Sequence, residues 1–307
     1  SSEANFIRIL HALYNPISFL KDVLKFPHIF EILITICSYS NYLSEILIRN
    51  PEYLFWLIDE GMINKKFDEE KFGAALESKL SSYNNFDSKL NYLKSIKRRE
   101  ILRIGSRDLL SFSELIETTT ELSFLARTIS KNLFNICYET ILKKYKLEKI
   151  NRNYALVSLG KMGGDELNYS SDIDLIIFFD KYSKLKNGKE YFEILTEAVQ
   201  LYIKSASNPT ETGFLYRVDF RLRPDGKTSP LCRSINSYFS YYEARGADWE
   251  RQMLLKSNFI SGDKNLYHQF KKYLIPFIFP SSFSISPLEQ IQKMKNKIEL
   301  HSSDEMN

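Results

Sequence analysis

The sequence predicts an α+β fold with a helical first half and a strand-bearing second half. Three observations carry this. No proline falls between Pro51 and Pro209, so long helices can run through the first half. Of the 11 glycines, only Gly61, Gly73 and Gly105 lie before residue 150. Apolar residues keep helical spacing in the first half and fall into short strand-like runs in the second.

The elements follow in order. The most hydrophobic window, residues 29–48, is interrupted by Ser38, Ser40, Asn41 and Glu45, so it reads as a buried helix rather than a membrane span. Asn50-Pro51-Glu52 looks like a helix N-cap followed by proline at the first helical position. Residues 63–88, rich in Lys, Asp, Asn and Ser, are the expected mobile connection. Arg98, Arg99, Arg103 and Arg107 fall near one helical face, which reads as a solvated or intersubdomain ion-pair stripe. Ser111-Phe112-Ser113-Glu114 resembles a capping box. After it Leu115, Leu122, Leu125-Ala126, Ile129, Leu133, Ile136 and Ile141 recur at near-helical spacing, with a weak spot at residues 118–120.

Beyond residue 150 a short apolar strand is expected at 154–159, then a glycine-rich turn, then a strand at 172–179. A polar loop (182–189) leads into a helix at 191–205, marked by Phe192, Leu195, Val199, Leu201 and Ile203. Residues 215–223 read as a further strand, 224–230 as a loop, and 234–244 and 248–257 as helices. The expected organisation is a helical subdomain (1–150), a catalytic core (151–263) and a C-terminal helical segment (264–307), truncated at its end.

Chemistry concentrates in Gly160-Lys161-Met162-Gly163-Gly164 and Ser171-Asp172-Ile173-Asp174-Leu175. On a strand Asp172 and Asp174 share one face while Ile173 and Leu175 point into the core. Two carboxylates about 4 Å apart, at an effective dielectric of about 20, repel by roughly 4 kcal/mol. A divalent cation removes that cost, and Mg²⁺ is ordinarily held by one or two carboxylates plus substrate phosphates. An Asp-x-Asp alone is most simply a solvated strand end. The preceding Gly163-Gly164 and the apolar run 175–179 argue against that here. So does the strand at 215–223, where Arg217, Asp219, Arg221 and Arg223 alternate with Tyr216, Val218, Phe220 and Leu222. A third carboxylate among arginines suits two metals and a polyphosphate.

Composition narrows the classes. A net charge of +4 is modest and argues against a dedicated nucleic-acid surface. Cys37, Cys137 and Cys232 have no metal-ligand spacing and suggest a reducing compartment. The four histidines are equally scattered, and no basic-then-apolar signal peptide opens the chain.

Residues 30–263 resemble the nucleotidyltransferase domains of the bacterial glutamine synthetase adenylyltransferase family, bifunctional adenylylating and deadenylylating enzymes. The matching residues are the two motifs above, Glu166-Leu167-Asn168, Arg217-Val218-Asp219 through Arg221-Leu222-Arg223-Pro224, Gly226, Pro230-Leu231, Asp248-Trp249-Glu250-Arg251 and Lys256. Upstream, Arg98-Arg99-Glu100, Arg103-Ile104, Arg107-Asp108-Leu109 and Leu122-Ser123 with Leu125-Ala126 agree. The resemblance implies a polymerase-β-like nucleotidyltransferase fold with a helical N-terminal subdomain and C-terminal helices. It also implies two Mg²⁺ ions, ATP or ADP and orthophosphate as small substrates, glutamine synthetase as target, the PII signalling protein as a possible effector, and a bacterial cytoplasmic setting without membrane or nucleic acid.

Within that resemblance Asp172 and Asp174 are expected to bind one or both Mg²⁺ ions and Asp219 to complete the second site. Backbone N–H groups around Gly163 and Gly164, with the Ser171 hydroxyl, are expected to hold phosphate oxygens, and Lys161, Arg221 and Arg223 to clamp them. Simpler roles compete: Lys161 as a solvated turn residue, Arg217 paired with a surface acid, Asp248, Glu250 and Arg251 as a salt-bridged helix face, and Trp56 and Trp249 as core or subdomain contacts. The form of residues 246–251 is similar to the N-terminal, deadenylylating half of the family, which removes AMP from a tyrosine by phosphorolysis. The chain is then expected to be a fragment, ending at Asn307 before a Gly-Gly-Ile-Arg-Asp-type motif. The alternatives are the forward adenylylating half, a nucleotidyltransferase with another target, and a nucleotide-sensing domain without turnover. A glycosyltransferase, which also uses Asp-x-Asp, lacks the glycine turn and the arginine strand.

Overall fold

The computed structural model describes residues 2–147, 152–209 and 213–280, together with 288–289, 292 and 295–296. In the first half run α1 (Ser2–Ala12), α2 (Pro16–Lys25), α3 (Pro27–Tyr39), α4 (Asn41–Arg49), α5 (Glu52–Leu57), α6 (Glu60–Ile63), α7 (Glu69–Ser81), α8 (Phe86–Leu109) and α9 (Leu115–Lys144). The second half holds β1 (Tyr154–Ser158), α10 (Gly160–Gly163), β2 (Ile173–Phe179), α11 (Tyr191–Ser207), β3 (Val218–Asp219) and β4 (Arg233–Ser234). It continues with α12 (Ile235–Arg245), α13 (Asp248–Leu255), β5 (Asn258–Gly262) and α14 (Lys264–Ile278). The expected α+β class is the one observed. Among the described residues no helix is long and apolar enough to cross a membrane.

Local chemistry explains where several boundaries depart from expectation. The apolar window 29–48 is two helices, because the Ser40 hydroxyl accepts from Leu43 N (3.2 Å) and starts α4. Asn50 is not the N-cap of α5; its side chain donates to Ile46 O (2.9 Å) and closes α4 instead. The expected mobile stretch carries α7, capped by Asp68 accepting from Lys71 N (3.0 Å). No capping box forms at residues 111–114: Ser111 adopts φ 58° and the Ser113 hydroxyl pairs with Thr118 (2.9 Å). The strand expected at 215–223 shrinks to Val218–Asp219, since Arg221 and Arg223 enter a turn.

The sheet runs β3-β2-β1-β5, with β4 parallel to β2 at Phe178 and Phe179. β1 and β2 are antiparallel, pairing Tyr154 with Phe179 and Ser158 with Leu175. Both strands are almost wholly buried, which is why their apolar residues run on rather than alternate.

The chain divides into two compact units that interleave in sequence. One comprises Ser1–Ile141, Asp165–Ile173 and Ala198–Val218; the other Leu142–Gly164, Asp174–Glu197 and Asp219–Asn307. The first is built on buried helix faces, including Leu33, Ile36, Leu47, Leu102, Leu125 and Ile129. It also buries ions. Arg103 donates to Glu100 (2.9 Å), Glu121 (2.7 Å) and Lys65 O (2.8 Å), and Arg107 to Glu117 (3.0 Å) and Ile63 O (2.9 Å). The arginine stripe is therefore partly interior to this unit rather than solvated. The second unit packs Ala155, Val157, Ile176 and Phe178 against Tyr238, Leu254 and Phe270, with the Phe178 and Phe270 rings stacked at 4.5 Å.

Candidate active site

Asp172 immediately precedes β2 and is exposed; Asp174 is its second residue and half-buried. Two backbone bonds fix this strand end: Ile173 N donates to Arg217 O and Leu159 N to Asp174 O, both at 2.9 Å. The Arg217 guanidinium donates from Nε to Asp172 Oδ1 (2.5 Å) and from Nη2 to Ser170 O (2.7 Å). Asp219 closes β3, and Arg221 binds it twice, from its backbone N (2.7 Å) and from Nε (2.6 Å). Burial pushes the Asp219 carboxyl up, but the Arg221 hydrogen bonds and charge outweigh it and hold the group below the usual carboxylate range. An arginine thus places positive charge against each of Asp172 and Asp219.

Gly160 shapes the space beside Asp174. It lies at φ +56°, and a Cβ there would stand 2.7 Å from Asp174 Oδ2. The missing side chain keeps that carboxylate oxygen uncrowded, and hard carboxylate oxygens are the donors Mg²⁺ takes. Among the described residues no three His, Cys, Asp or Glu side chains form a ready metal cage.

The other expected site residues take different places. Gly163 N donates to Leu159 O and Gly164 N to Gly160 O, both at 3.1 Å, so these N–H groups close the turn of α10 instead of facing a phosphate. Gly163 is required because a Cβ would fall 1.7 Å from Lys256 O. The Ser171 hydroxyl donates to Asn168 Oδ1 (2.6 Å), and Lys161 is exposed. Arg223 is buried, and its guanidinium donates to Phe220 O (2.7 Å), Ser229 O (2.7 Å) and Pro230 O (3.1 Å). It ties the 220–230 loop together, whereas Arg221 is exposed.

Arg251 pairs with Asp248 (2.9 Å), as a salt-bridged helix face requires, while Glu250 turns inward to accept from Ala247 N (2.7 Å). Trp249 is exposed rather than in the core. Trp56 lies under the Arg99 guanidinium, 4.9 Å from the ring. Sequence reasoning placed weight on Gly163 and Gly164 and passed over Gly160, whose positive φ no pattern announces. It also passed over Lys97, a lone lysine on α8, and the aromatic residues around it.

Residues 30–273 match the protein family described as glutamate-ammonia ligase adenylyltransferase. The chain is 29% identical over 267 residues to the bifunctional glutamine synthetase adenylyltransferase/adenylyl-removing enzyme of Hahella chejuensis, covering 85% of this chain and 28% of that protein. The protein of the same name from Psychromonas ingrahamii is 28% identical over 277 residues, 87% of this chain and 29% of its own length. That of Pseudomonas putida is 30% identical over 268 residues, 85% and 27% respectively. The chain therefore spans less than a third of the length of these curated relatives.

Proposed function

The chain belongs to the glutamate-ammonia ligase adenylyltransferase family, and we propose from that premise that it removes AMP from an adenylylated tyrosine of glutamine synthetase by Mg²⁺-dependent phosphorolysis. The observation that carries the reading is the placement of Asp172 and Asp174 at the start of β2, with Asp219 on the neighbouring strand β3. The β1–turn–β2 hairpin with β3 alongside supports a polymerase-β-like nucleotidyltransferase core. The relatives' name covers both adenylylation and adenylyl removal. The form of residues 246–251 favours removal.

In this reading Asp172, Asp174 and Asp219 would hold Mg²⁺, which supplies charge stabilisation for the phosphoryl oxygens. Arg221, permanently charged and forked, binds the incoming orthophosphate. A phosphate oxygen forms the new bond to the α-phosphorus, the bond from phosphorus to the tyrosine oxygen breaks, and the departing phenolate takes up a proton. The products are ADP and the unmodified tyrosine. Forward adenylylation uses the same carboxylates with ATP, so direction is the point to test.

The test incubates the protein with adenylylated and with unmodified glutamine synthetase, with and without orthophosphate, and weighs the target. Phosphate-dependent loss of AMP with ADP as product is expected. AMP as the main product would mean hydrolysis, and ATP-dependent labelling of the unmodified target alone would assign the forward reaction. Mg²⁺-dependent nucleotide binding without turnover would make it a sensing domain.

A further inference from the structure

A cavity of about 670 Å³ opens in the first unit, among α5, α6, α7 and α8. None of the candidate active-site residues lines it, and its volume is that of a small-molecule site. Its lining combines flat rings with cations. Trp56, Phe67 and Phe72 are half-buried there, and the rings of Phe67 and Phe72 lie 4.7 Å apart. Lys65, Lys66, Lys71, Arg99 and Arg103 share the lining with only two carboxylates, those of Asp68 and Glu100.

These cations differ in how firmly their charge is held. Arg103 is buried and committed to Glu100 and Glu121. The Arg99 guanidinium lies over the Trp56 ring at 4.9 Å, and the Glu100 oxygen it approaches is 3.6 Å away, beyond hydrogen-bond reach. Lys65 is exposed and has no carboxylate partner among the described residues. Lys71 pairs with Asp68 at 3.1 Å and Lys66 with Glu117 at 3.6 Å, but the two lysine side chains are 87% and 80% exposed. Pairs so exposed contribute at most about 1 kcal/mol, so an arriving anion can displace them. Four cations gathered this way repel one another, and a bound anion removes that cost.

We propose that this cavity binds a small organic dianion with a flat apolar body. Its carboxylate or phosphate head is held by Lys65, Lys66, Lys71 and Arg99, and its body lies against Trp56, Phe67 and Phe72. The planar fork of Arg99 suits a bidentate contact with either head, and the lysines add mobile point charges. Ring-to-ring packing favours a flat body, which an inorganic anion lacks. The site stands apart from the strand-end carboxylates and does not depend on the transfer reading.

Trp56 reports on the cavity directly, because the one other tryptophan, Trp249, is exposed and outside the lining. Trp249→Phe protein in Mg²⁺-free buffer is titrated at about pH 8, where a phosphate monoester has lost its second proton. The ligands are phenyl phosphate and phthalate, each a benzene ring with two negative charges, beside inorganic phosphate and benzyl alcohol. Binding is followed by Trp56 emission and by calorimetry. At least one of the two ring dianions is expected to bind saturably, about tenfold or more tighter than inorganic phosphate or benzyl alcohol. The tighter of the two identifies the head group. Lys65→Ala and Arg99→Met, with melting curves as a fold control, should each weaken it about tenfold. Lys66→Ala, at an 80% exposed side chain, takes the place of Arg99→Met should that variant not fold. No saturable binding of either dianion would overturn the proposal. So would equal binding of inorganic phosphate, which would leave a bare cation cluster, or equal binding of benzyl alcohol, which would leave an apolar crevice. Native affinity in the folded variants would overturn it as well.

Discussion

Arg217 Nε lies 2.5 Å from Asp172 Oδ1, and the same guanidinium reaches Ser170 O at 2.7 Å. The pair is well exposed, with side chains at 62% and 47%, so its contribution to stability is at most about 1 kcal/mol. Its effect is on the charge felt at Asp172. Arg217→Met should leave the melting temperature nearly unchanged and lower the Mg²⁺ concentration needed for half-maximal binding, because a competing cation is gone. A Mg²⁺ titration of the folded variant checks this; an unchanged midpoint would mean that Asp172 is not a metal ligand.

Gly160→Ala should damage the site and the fold together. The residue sits at φ +56°, and the new methyl would press on Asp174 Oδ2 at 2.7 Å. Backbone strain of this kind costs about 1–3 kcal/mol. Gly188→Ala is the control, since Gly188 has φ +82° but nothing within 4 Å of its Cβ position. Both variants should melt earlier, and only Gly160→Ala should lose Mg²⁺-dependent transfer. Equal activity in the two would show that Asp174 needs no room.

Arg223 and Arg221 should separate cleanly. Arg223 is buried and committed to backbone carbonyls, and burial holds its pKa below the usual arginine range. Arg223→Ala should cost about 2–4 kcal/mol, because it orphans those carbonyls, without a specific change in phosphate dependence. Arg221→Ala should instead raise the orthophosphate concentration for half-maximal rate. Denaturant melts and phosphate titrations on both variants decide it, and a phosphate effect confined to Arg223→Ala would reverse the roles.

Lys97 gives a pH signature. Burial, helped by the charge of Arg98, lowers its pKa from 10.5 to about 8. In the unfolded chain the amine keeps its ordinary value. Between about pH 8 and 10.5 the unfolded state therefore holds more protons, and the stability of the wild type should rise with pH by at most about 1.4 kcal/mol per unit relative to Lys97→Met. Below pH 8 both states are protonated and the difference should be flat. Parallel melting curves for the two proteins across pH 7–10.5 would refute the burial effect.

The sequence by itself determined the class of the fold, the glycine turn between two apolar strands, and the candidate carboxylates at the strand end. These are local features: strand alternation places Asp172 and Asp174, and proline and glycine usage separates the helical half from the rest. Tertiary structure decided which of the motif residues face outward. Gly163 and Gly164 turned out to serve helix closure and the approach of Lys256, because the carbonyl that requires a glycine comes from the end of α13, more than ninety residues away in sequence. Arg223 was drawn inward because the strand ends at Asp219, and past that point alternation no longer predicts a side chain's face. The burial of Arg103 depended on Glu121, a partner on the next helix. An aromatic cavity around Lys97 joins residues near 40, 97, 170 and 215. Periodicity reads neighbours along the chain, so a cavity assembled from four distant segments becomes visible only when the helices have packed.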